Sequence, residues 1–483
     1  MKPLKPSIHY ATTLDGALPQ HRFGATRHIH MVGIGGIGMS GMAEILLHQG
    51  YHVTGSDGSL SETTERLTSM GATIHQGHDA SHIEGADVVV YTSAVKAMDN
   101  VETKAALEAS IPVIKRAEML AEMMRMKVGI GVAGTHGKTT TTTMLGHIIQ
   151  DAALDPTIIV GGRVHSFDKT NAVVGKGEFL IVEADEYDRT FLKLTPTMAI
   201  ITNVEAEHLD IYKDIDDVKQ AFVEFANKVP FYGVVAVCVD DPTVRSLIPE
   251  FTRRLITYGL DPSADVYGFN VDKKAFSTSF EVIAMGRPLG VFQLHVPGDY
   301  NVLNALAAIS IALDLGVPAE TIKKGLERFN GVFRRFQRKM DHRGVLLIDD
   351  YAHHPTEVAA TLKGAKHGWP DRRRIAVFQP HLYSRTQQMS AEFGASFGDA
   401  DHVIITDVYP AREKPIDGVT GELVASAAKD AGHPSVHYLD TAEDLPHYLM
   451  DMASEGDLIL TMGAGTIYRY GEKFAESWQG GEV

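Results

Sequence analysis

The stretch from Val128 to Thr143, VGIGVAGTHGKTTTTT, constrains the fold of this chain more than any other segment. An apolar strand leads into a turn that contains glycines, and a helix follows that starts with lysine and threonine. In such a turn the backbone N–H groups can face a phosphate, the lysine adds a cation, and a threonine hydroxyl can bind Mg²⁺. The segment predicts a strand–loop–helix unit that holds a nucleotide triphosphate; a glycine-rich loop before an ordinary Thr-capped helix is the alternative.

The loop has the short G-T-x-G-K-T form of the motif. The longer pattern G-x-x-x-x-G-K-[ST] does not match, because Val132 stands where that pattern requires a glycine. The residues of this loop that we predict to bind ATP are Gly134, Thr135, His136, Gly137, Lys138, Thr139 and Thr140.

A second glycine loop lies near the start of the chain. Gly33, Gly35 and Gly38 stand between an apolar strand and a helix, and Asp57 ends the next strand. This is the G-x-G-x-x-G pattern with a downstream acid that is typical of dinucleotide binding. A glycine turn at a helix N-terminus accepts any pyrophosphate, and an acid accepts any ribose hydroxyl. NAD and a nucleotide-sugar diphosphate therefore both fit the pattern, and a tight turn without a ligand is the third interpretation.

Short apolar strands alternate with helical stretches from His28 onwards, which indicates doubly wound α/β domains. The predicted fold class is α/β with three domains: a Rossmann-like N-terminal domain, a central P-loop ATPase-type α/β domain and a Rossmann-like C-terminal domain. The predicted boundaries are an N-terminal extension at 1–27 and domains at 28–125, 126–332 and 333–483.

Polar residues cluster after several of the predicted strands, and ligands of open α/β sheets gather at the carboxyl ends of strands. Glu183 and His208 in these clusters are candidate metal ligands beside Thr139. For His208, capping of the following helix is the alternative, because oxygen ligands are the rule for Mg²⁺. The other acids of the same clusters, which we expect to support the ligands or to be solvated, are Asp185, Glu186, Asp188 and Glu207.

Two further pairs of residues are candidates for nucleotide contacts. Asn301 and Asn304 lie three residues apart at the start of an apolar helix, where amide groups could address an adenine edge. Helix capping is the alternative, above all for Asn301. Arg334 and Arg335 stand at the second domain junction, where they could reach a phosphate or pair with surface acids.

The composition excludes several classes of function. A formal net charge of −16 argues against a nucleic-acid surface, which needs clustered lysine and arginine. Cys238 is the single cysteine, so neither an intrachain disulfide nor a multi-cysteine metal site can form. We find no apolar run of the ~20 residues that span a bilayer and no apolar core of a signal peptide. We therefore expect a cytoplasmic protein without membrane insertion.

The chain contains, in this order, the phosphate loop, EADE, EAEH, N-x-x-N, Arg-Arg-Phe and DDYAHHPTE. Together these segments resemble the motifs of the Mur ligases. These are ATP-dependent amide-forming enzymes of peptidoglycan precursor synthesis, and the resemblance runs from about His28 to the C-terminus. Within the family, the resemblance is strongest to the members that attach L-alanine. It lies in four segments: HMVGIGGIGMSGMA, GTHGKTTT, NVEAEHLDIY and QPHLYSRT. The resemblance implies UDP-N-acetylmuramate, L-alanine and ATP as substrates, with Mg²⁺. An NAD-dependent oxidoreductase and the sibling ligase that recycles muropeptides are the alternatives.

The resemblance also implies roles for individual residues. The catalytic residues would be Lys138, Glu183, His208 and Arg335, with Thr139, Glu183 and His208 on the metal ion. ATP would also contact Asn301, Asn304, Arg335 and Asp350. The UDP-sugar would bind to the domain at 28–125, through Gly35, Gly36, Ile37, Gly38, Asp57, His78, Ser93 and Arg116. The amino acid would lie in the domain at 333–483, near Tyr351, His353, His381 and Arg385.

Overall fold

The computed structural model describes residues 23–92, 95–161, 171–207, 211–411 and 413–480 of the chain. Two predicted site residues, Ser93 and His208, lie outside these ranges, and so does most of the predicted extension at 1–27. Among the residues described, no helix has both the length and the apolar character that crossing a membrane requires.

The first sheet carries five described strands in the order β3-β2-β1-β4-β5, and all its pairings are parallel. Strand β4 reads VVVY and is buried along its whole length, as expected for a parallel strand covered on both faces. The elements are β1 (His28–Val32), α1 (Ile37–His48), β2 (His52–Asp57), α2 (Glu62–Ser69), β3 (Thr73–Gln76), β4 (Val88–Tyr91), α3 (Val101–Glu108), β5 (Val113–Lys115) and α4 (Arg116–Arg125).

The second sheet has ten strands within the described ranges, in the order β15-β14-β13-β12-β11-β10-β6-β9-β7-β8. The strand before the phosphate loop, β6, lies between β9 and β10 and pairs with both in parallel. The elements are β6 (Val128–Ala133), α5 (Lys138–Asp151), β7 (Thr157–Ile159), β8 (Ala172–Val173), β9 (Phe179–Glu183), β10 (Met198–Ile201), α6 (Ile215–Asn227), β11 (Val234–Cys238), α7 (Pro242–Leu247), β12 (Leu255–Gly259), β13 (Val266–Lys274), β14 (Ser277–Ala284), β15 (Arg287–Leu294), α8 (Asp299–Asp314) and α9 (Ala319–Glu327).

The third sheet has six described strands in the order β16-β17-β21-β18-β19-β20, of which only the pairing of β16 with β17 is antiparallel. The elements are β16 (Gln337–His342), β17 (Val345–Asp350), α10 (Pro355–Gly368), β18 (Arg373–Phe378), α11 (Tyr383–Gln388), α12 (Ser390–Ala395), β19 (His402–Ile405), α13 (Glu422–Asp430), β20 (Val436–Tyr438), α14 (Leu445–Met452), β21 (Asp457–Met462) and α15 (Ile467–Trp478). Short 3₁₀ turns at Ala80–Ile83, Tyr187–Lys193, Ile248–Glu250 and Ala442–Asp444 complete the described elements.

Alternation along β17 explains how the third sheet is covered. Leu346 and Ile348 belong to one apolar cluster, whereas Val345 and Leu347 belong to another. Because successive side chains of a strand point to opposite faces, helices cover this sheet on both sides. The acidic pair that ends β17, Asp349 and Asp350, therefore stands at the carboxyl edge of a fully covered sheet.

Contacts within the chain define two compact units. The first comprises the described parts of Met1–Phe269, Glu281–Phe292 and Leu303–Phe329, and the second those of Asn270–Phe280, Gln293–Val302 and Asn330–Val483. Cys238 is buried in the first unit, where burial raises the pKa of its thiol to about 11, so it is a structural side chain and not a nucleophile.

Candidate functional site

The phosphate loop needs glycine at two positions. Gly134 and Gly137 have φ angles of +142° and +83°, which L-residues rarely adopt. A Cβ atom at Gly134 would lie 1.9 Å from the Thr202 hydroxyl, and one at Gly137 would lie 2.4 Å from the Asn304 carbonyl oxygen. Helix α5 then begins at Lys138 with Gly137 as its N-cap. The sequence motif thus forms the predicted strand–loop–helix unit.

The segment that follows β10 holds the loop in place. The backbone N–H of His136 donates to the Asn203 side-chain oxygen at 2.7 Å, and the Thr202 hydroxyl donates to the His136 carbonyl at 2.6 Å. The Thr135 hydroxyl accepts from the backbone N–H of Glu205 at 2.9 Å. Thr135 and His136, both predicted as ATP contacts, therefore also fasten the loop. Asn203 is a site residue that the motif did not single out, although it stands directly at a strand end.

The ammonium group of Lys138 is surrounded by oxygen atoms. It donates to both carboxylate oxygens of Glu186, at 2.8 and 3.0 Å, and to the carbonyls of Gly134 and Thr135 at 2.6 and 3.1 Å. Burial alone would lower the pKa of Lys138, but the attraction of Glu186 and Asp185 outweighs it and raises that pKa above its usual value. Lys138 is therefore a cation that is largely shielded from solvent, with a side chain that is 17% exposed. Glu186 was expected to be a supporting or solvated acid, but its side chain is only 3% exposed and pairs directly with Lys138.

Glu183 ends β9 beside the start of α5. One carboxylate oxygen accepts from the backbone N–H of Gly161, and the other, Oε1, is buried and has no hydrogen-bond partner among the described residues. Burial raises the pKa of Glu183, while the Thr139 side chain and the Lys138 charge lower it in part. The orphaned carboxylate oxygen together with the Thr139 hydroxyl is a set of hard oxygen ligands that suits Mg²⁺.

Asn304 belongs to the phosphate-loop neighbourhood. It is 6% exposed, and its side-chain oxygen accepts from the Thr141 hydroxyl at 3.1 Å. Asn301 is buried too, and its side-chain amide donates to the Pro297 carbonyl at 2.6 Å, which ties down the start of α8. This bond is not an N-cap, because Asn301 lies within α8 and its amide donates to a carbonyl instead of accepting from a backbone N–H.

The N-terminal glycine loop closes around an acid and an arginine. The backbone N–H of Gly35 donates to Asp57 Oδ2 at 2.9 Å. A Cβ atom at Gly38 would lie 2.7 Å from a guanidinium nitrogen of Arg116. The structure thus brings together four of the predicted UDP-sugar contacts, Gly35, Gly38, Asp57 and Arg116, at the carboxyl ends of β1 and β2. Gly36 is the N-cap of α1, which begins at Ile37.

His78 takes part in a cluster that the sequence reasoning missed. Its centre is Glu102, whose side chain is 0% exposed. Glu102 accepts from the Ser56 hydroxyl at 2.6 Å and is hydrogen-bonded to His82 Nδ1 at 2.7 Å and His78 Nδ1 at 3.0 Å. Burial alone would raise the pKa of Glu102, but the nearby His30, at 3.7 Å, and the hydrogen bonds from Ser56 and His82 hold it at about 2. In the sequence, the spacing of four residues between His78 and His82 is the feature that could have indicated this cluster.

In the second unit, Asp350 is buried at the end of β17. It accepts from the backbone N–H groups of Phe336 at 2.7 Å and Ala352 at 2.8 Å. Burial raises the pKa of Asp350 to about 6, although Arg335 lowers it in part. Arg335 also lies 3.4 Å from Glu357 and 5.2 Å above the Tyr351 ring. The predicted ATP contacts Arg335 and Asp350 thus interact electrostatically.

Three of the four predicted amino-acid contacts form one aromatic group. The rings of Tyr351 and His353 are 5.2 Å apart, and those of His353 and His381 are 6.1 Å apart. Tyr409 stacks on His381 at 5.8 Å and joins the group without having been predicted. Arg385 lies four residues after His381, in α11. His381 was predicted from the family resemblance, and the structure places it shortly after the end of β18.

Three sequence models of one family match the chain in series. They are the Mur ligase family, catalytic domain, over residues 28–128, the Mur ligase middle domain over 132–312, and the Mur ligase, glutamate ligase domain over 334–465. A curated relative from Salinibacter ruber, described as a UDP-N-acetylmuramate–L-alanine ligase, is 51% identical over 457 residues, which is 95% of this chain and 96% of the relative.

Solved structures agree with these matches. A UDP-N-acetylmuramate–alanine ligase from Thermotoga maritima has a TM-score of 0.78 and 29% identity, covering 94% of this chain and 99% of that one. A murein peptide ligase from Psychrobacter arcticus has a TM-score of 0.67 and 25% identity, covering 95% and 100%. The predicted α/β fold class with three domains is thereby confirmed.

Proposed function

The chain belongs to the Mur ligase family, and we propose that it joins L-alanine to the lactyl carboxylate of UDP-N-acetylmuramate, with ATP converted to ADP and phosphate. The observation that carries this proposal is the 51% identity, over 95% of the chain, with a UDP-N-acetylmuramate–L-alanine ligase. Between the two solved structures, the alanine ligase has the higher TM-score, 0.78 against 0.67 for the murein peptide ligase. The product would be UDP-N-acetylmuramoyl-L-alanine, a precursor in peptidoglycan synthesis.

The chemistry requires activation because a free carboxylate is a poor electrophile. Transfer of the γ-phosphoryl group of ATP to the carboxylate gives an acyl phosphate and ADP. The amine of L-alanine attacks the acyl carbon, and the tetrahedral intermediate then loses phosphate and a proton to leave the amide. Enzymes accelerate such steps mainly through positioning and charge stabilisation. At the phosphate loop, Lys138, Thr139 and Glu183 would provide this positioning and this charge stabilisation.

Lys138 would neutralise the phosphoryl group as it moves, because it places a cation at the start of α5, directly after the phosphate loop. Thr139 and Glu183 would hold Mg²⁺, with His208 as the third predicted ligand; the ion would neutralise charge on the phosphates when bound. The orphaned Oε1 atom of Glu183 supports this assignment. Asn304 contacts the phosphate loop from α8, which supports its assignment to ATP.

The remaining substrate contacts that we propose lie near the first and third sheets. In the first sheet, Gly35–Gly38, Asp57 and Arg116 would bind the diphosphate and ribose of the UDP-sugar, with His78 and Ser93 as further contacts. In the third sheet, Arg335 and Asp350 would contact ATP. The group of Tyr351, His353 and His381, with Arg385 on the neighbouring helix, would surround L-alanine. Nucleotide substrates and a single cysteine favour a cytoplasmic location.

The test is phosphate release from ATP with Mg²⁺ and UDP-N-acetylmuramate, in the presence of L-alanine, of a muropeptide, or of no amine. We expect release only with L-alanine. The Lys138→Ala variant should lose activity by about 10²-fold or more, the cost typical of removing one charge-stabilising group. Thermal melting of the variant controls for folding.

Each of the other outcomes contradicts the proposal in its own way. Release that requires the muropeptide would assign the recycling reaction instead. Turnover of NAD without use of ATP would assign an oxidoreductase. Nucleotide binding without turnover with any amine would leave the fold intact and remove the enzymatic role.

A further inference from the structure

The environment of Lys138 has a consequence for nucleotide binding. An ammonium group has three hydrogens, whereas four oxygen atoms lie within 2.6–3.1 Å of Lys138 Nζ. Two of these oxygens are backbone carbonyls of the loop, from Gly134 and Thr135, and two belong to the carboxylate of Glu186. All three N–H groups of Lys138 therefore already have acceptors, and a phosphate oxygen would compete with these oxygens for the ammonium hydrogens.

Glu186 is the acceptor that a phosphate would replace. The two loop carbonyls precede Lys138 by three and four residues and move with it, whereas Glu186 reaches it from the segment after β9. A phosphate also offers what the carboxylate offers, namely negatively charged oxygen atoms for a charge-assisted hydrogen bond. The two anions would thus compete for the same cation.

Neighbouring residues hold Glu186 in position. The Tyr212 hydroxyl donates to the Glu186 backbone carbonyl at 2.7 Å, and Tyr212 is 1% exposed. The guanidinium of Arg189 lies 4.6 Å above the Tyr212 ring and also pairs with Asp217. The segment that carries Glu186 is thereby tied to α6. Glu186 therefore presents its carboxylate to Lys138 from a supported backbone.

We propose that Glu186 is a positioning residue that holds Lys138 while the phosphate loop is empty and releases it to the phosphate when nucleotide binds. The inference rests on the proposed function, because it assigns Lys138 to the nucleotide. A buried ammonium without a counter-charge is costly, so Glu186 stabilises the empty loop. Nucleotide binding breaks this ion pair, which weakens the measured affinity.

The test measures the dissociation constant for ADP with Mg²⁺ by titration calorimetry on the full chain. In Glu186→Gln the amide oxygen still accepts one hydrogen bond, but the ionic attraction is lost. We expect ADP to bind about tenfold more tightly, as follows from replacing a charge-assisted hydrogen bond by a neutral one. KM for ATP should fall in parallel, without a rise in kcat. A merely structural role of Glu186 would instead raise KM.

Asp185→Asn is the matched control. It also removes one negative charge near Lys138, but Asp185 acts on the lysine through its charge and its Oδ1 atom accepts from the backbone N–H of Tyr187. We expect the dissociation constant of this variant to change by much less than tenfold. Glu186→Asp, with a shorter side chain, should give an intermediate constant, and it provides the comparison if Glu186→Gln melts early.

Failure of the inference differs from failure of the proposed function. If the wild-type chain binds no ADP, the assignment of the loop to a nucleotide is wrong. If the wild type binds ADP but Glu186→Gln and Glu186→Asp bind it equally or more weakly, the competition between Glu186 and phosphate is overturned. Equal tightening in Glu186→Gln and Asp185→Asn would also overturn it, because net charge would then explain the change.

Discussion

At the scale of single residues, Glu102 is a carboxylate that is buried in the first unit and held by hydrogen bonds from Ser56, His78 and His82. Its pKa in the folded protein is about 2, below the usual value of a glutamate. A carboxyl group with a lowered pKa stabilises the fold at pH values above its unfolded pKa. This contribution is lost as the pH falls from about 4.5 towards 2.

We predict that Glu102→Gln lowers the free energy of unfolding by roughly 2–3 kcal/mol at pH 7, because the charged hydrogen bonds are lost. The difference from the wild type should shrink as the pH falls below about 4.5, since the Glu102 carboxyl of the unfolded wild type then binds a proton while that of the folded protein is still ionised. Urea unfolding at pH 7 and at pH 4 measures both values. Glu108→Gln, on the exposed face of the same helix, should leave the urea midpoint unchanged. A pH-independent difference for Glu102→Gln would contradict the prediction.

At the scale of elements, Arg334 links the carboxyl ends of two neighbouring strands of the third sheet. It is 8% exposed, pairs with Asp349 of β17 at 3.0 Å, and donates to the carbonyls of Gly463 and Gly465 after β21. From the sequence, the predicted partner of Arg334 was either a phosphate or a surface acid. The structure shows a buried acid and two carbonyls instead, so Arg334 holds together the strand ends that carry the candidate residues Asp350 and Tyr351.

We predict that Arg334→Lys lowers the stability of the second unit by about 2–3 kcal/mol, because a lysine cannot satisfy Asp349 and two carbonyls with one planar fork. Thermal melting measures the loss. Arg343→Lys, at an exposed turn of the same sheet, is the control and should lie within about 0.5 kcal/mol of the wild type. Equal melting temperatures for both variants would mean that the Arg334 contacts are not stabilising.

At the scale of the whole molecule, the proposed function requires separate sites for ATP and for the UDP-sugar, on different sheets of the first unit. A ligand that binds only the folded protein stabilises it by about 2.7 kcal/mol at one hundred times its dissociation constant. Each ligand should therefore raise the melting temperature by itself, and variants of one site should leave the shift from the other ligand in place.

We predict that Lys138→Ala loses the shift caused by ADP with Mg²⁺ but keeps the shift caused by UDP-N-acetylmuramate. Asp57→Asn should show the reverse. Differential scanning calorimetry of both variants with each ligand tests the two assignments together. If one variant lost both shifts, the two sites would not be independent. If each variant kept both, the assigned residues would be wrong.

The amino-acid pattern is sufficient to predict the class of fold and the positions of several of the buried strands. Buried parallel strands are continuous apolar runs, and the runs Phe179–Val182, Met198–Thr202 and Val345–Ile348 in the sequence coincide with β9, β10 and β17 to within one or two residues. The strands β13–β15 were missed, because β13 and β14 alternate buried and less buried residues and carry no motif. The predicted domain boundaries and the roles of the site residues stay predictions.

Local motifs were sufficient where the chemistry lies within a few consecutive residues. The glycines, lysine and threonine of the phosphate loop are adjacent in sequence, so their pattern predicts the strand–loop–helix unit that the structure contains. The partners of these residues, in contrast, follow from the tertiary fold. Glu186 is 48 residues from Lys138, and Asn304 is 163 residues from Thr141. Burial and pairing over such separations depend on how strands are ordered in the sheet, and a pattern of neighbouring residues carries no information about that order.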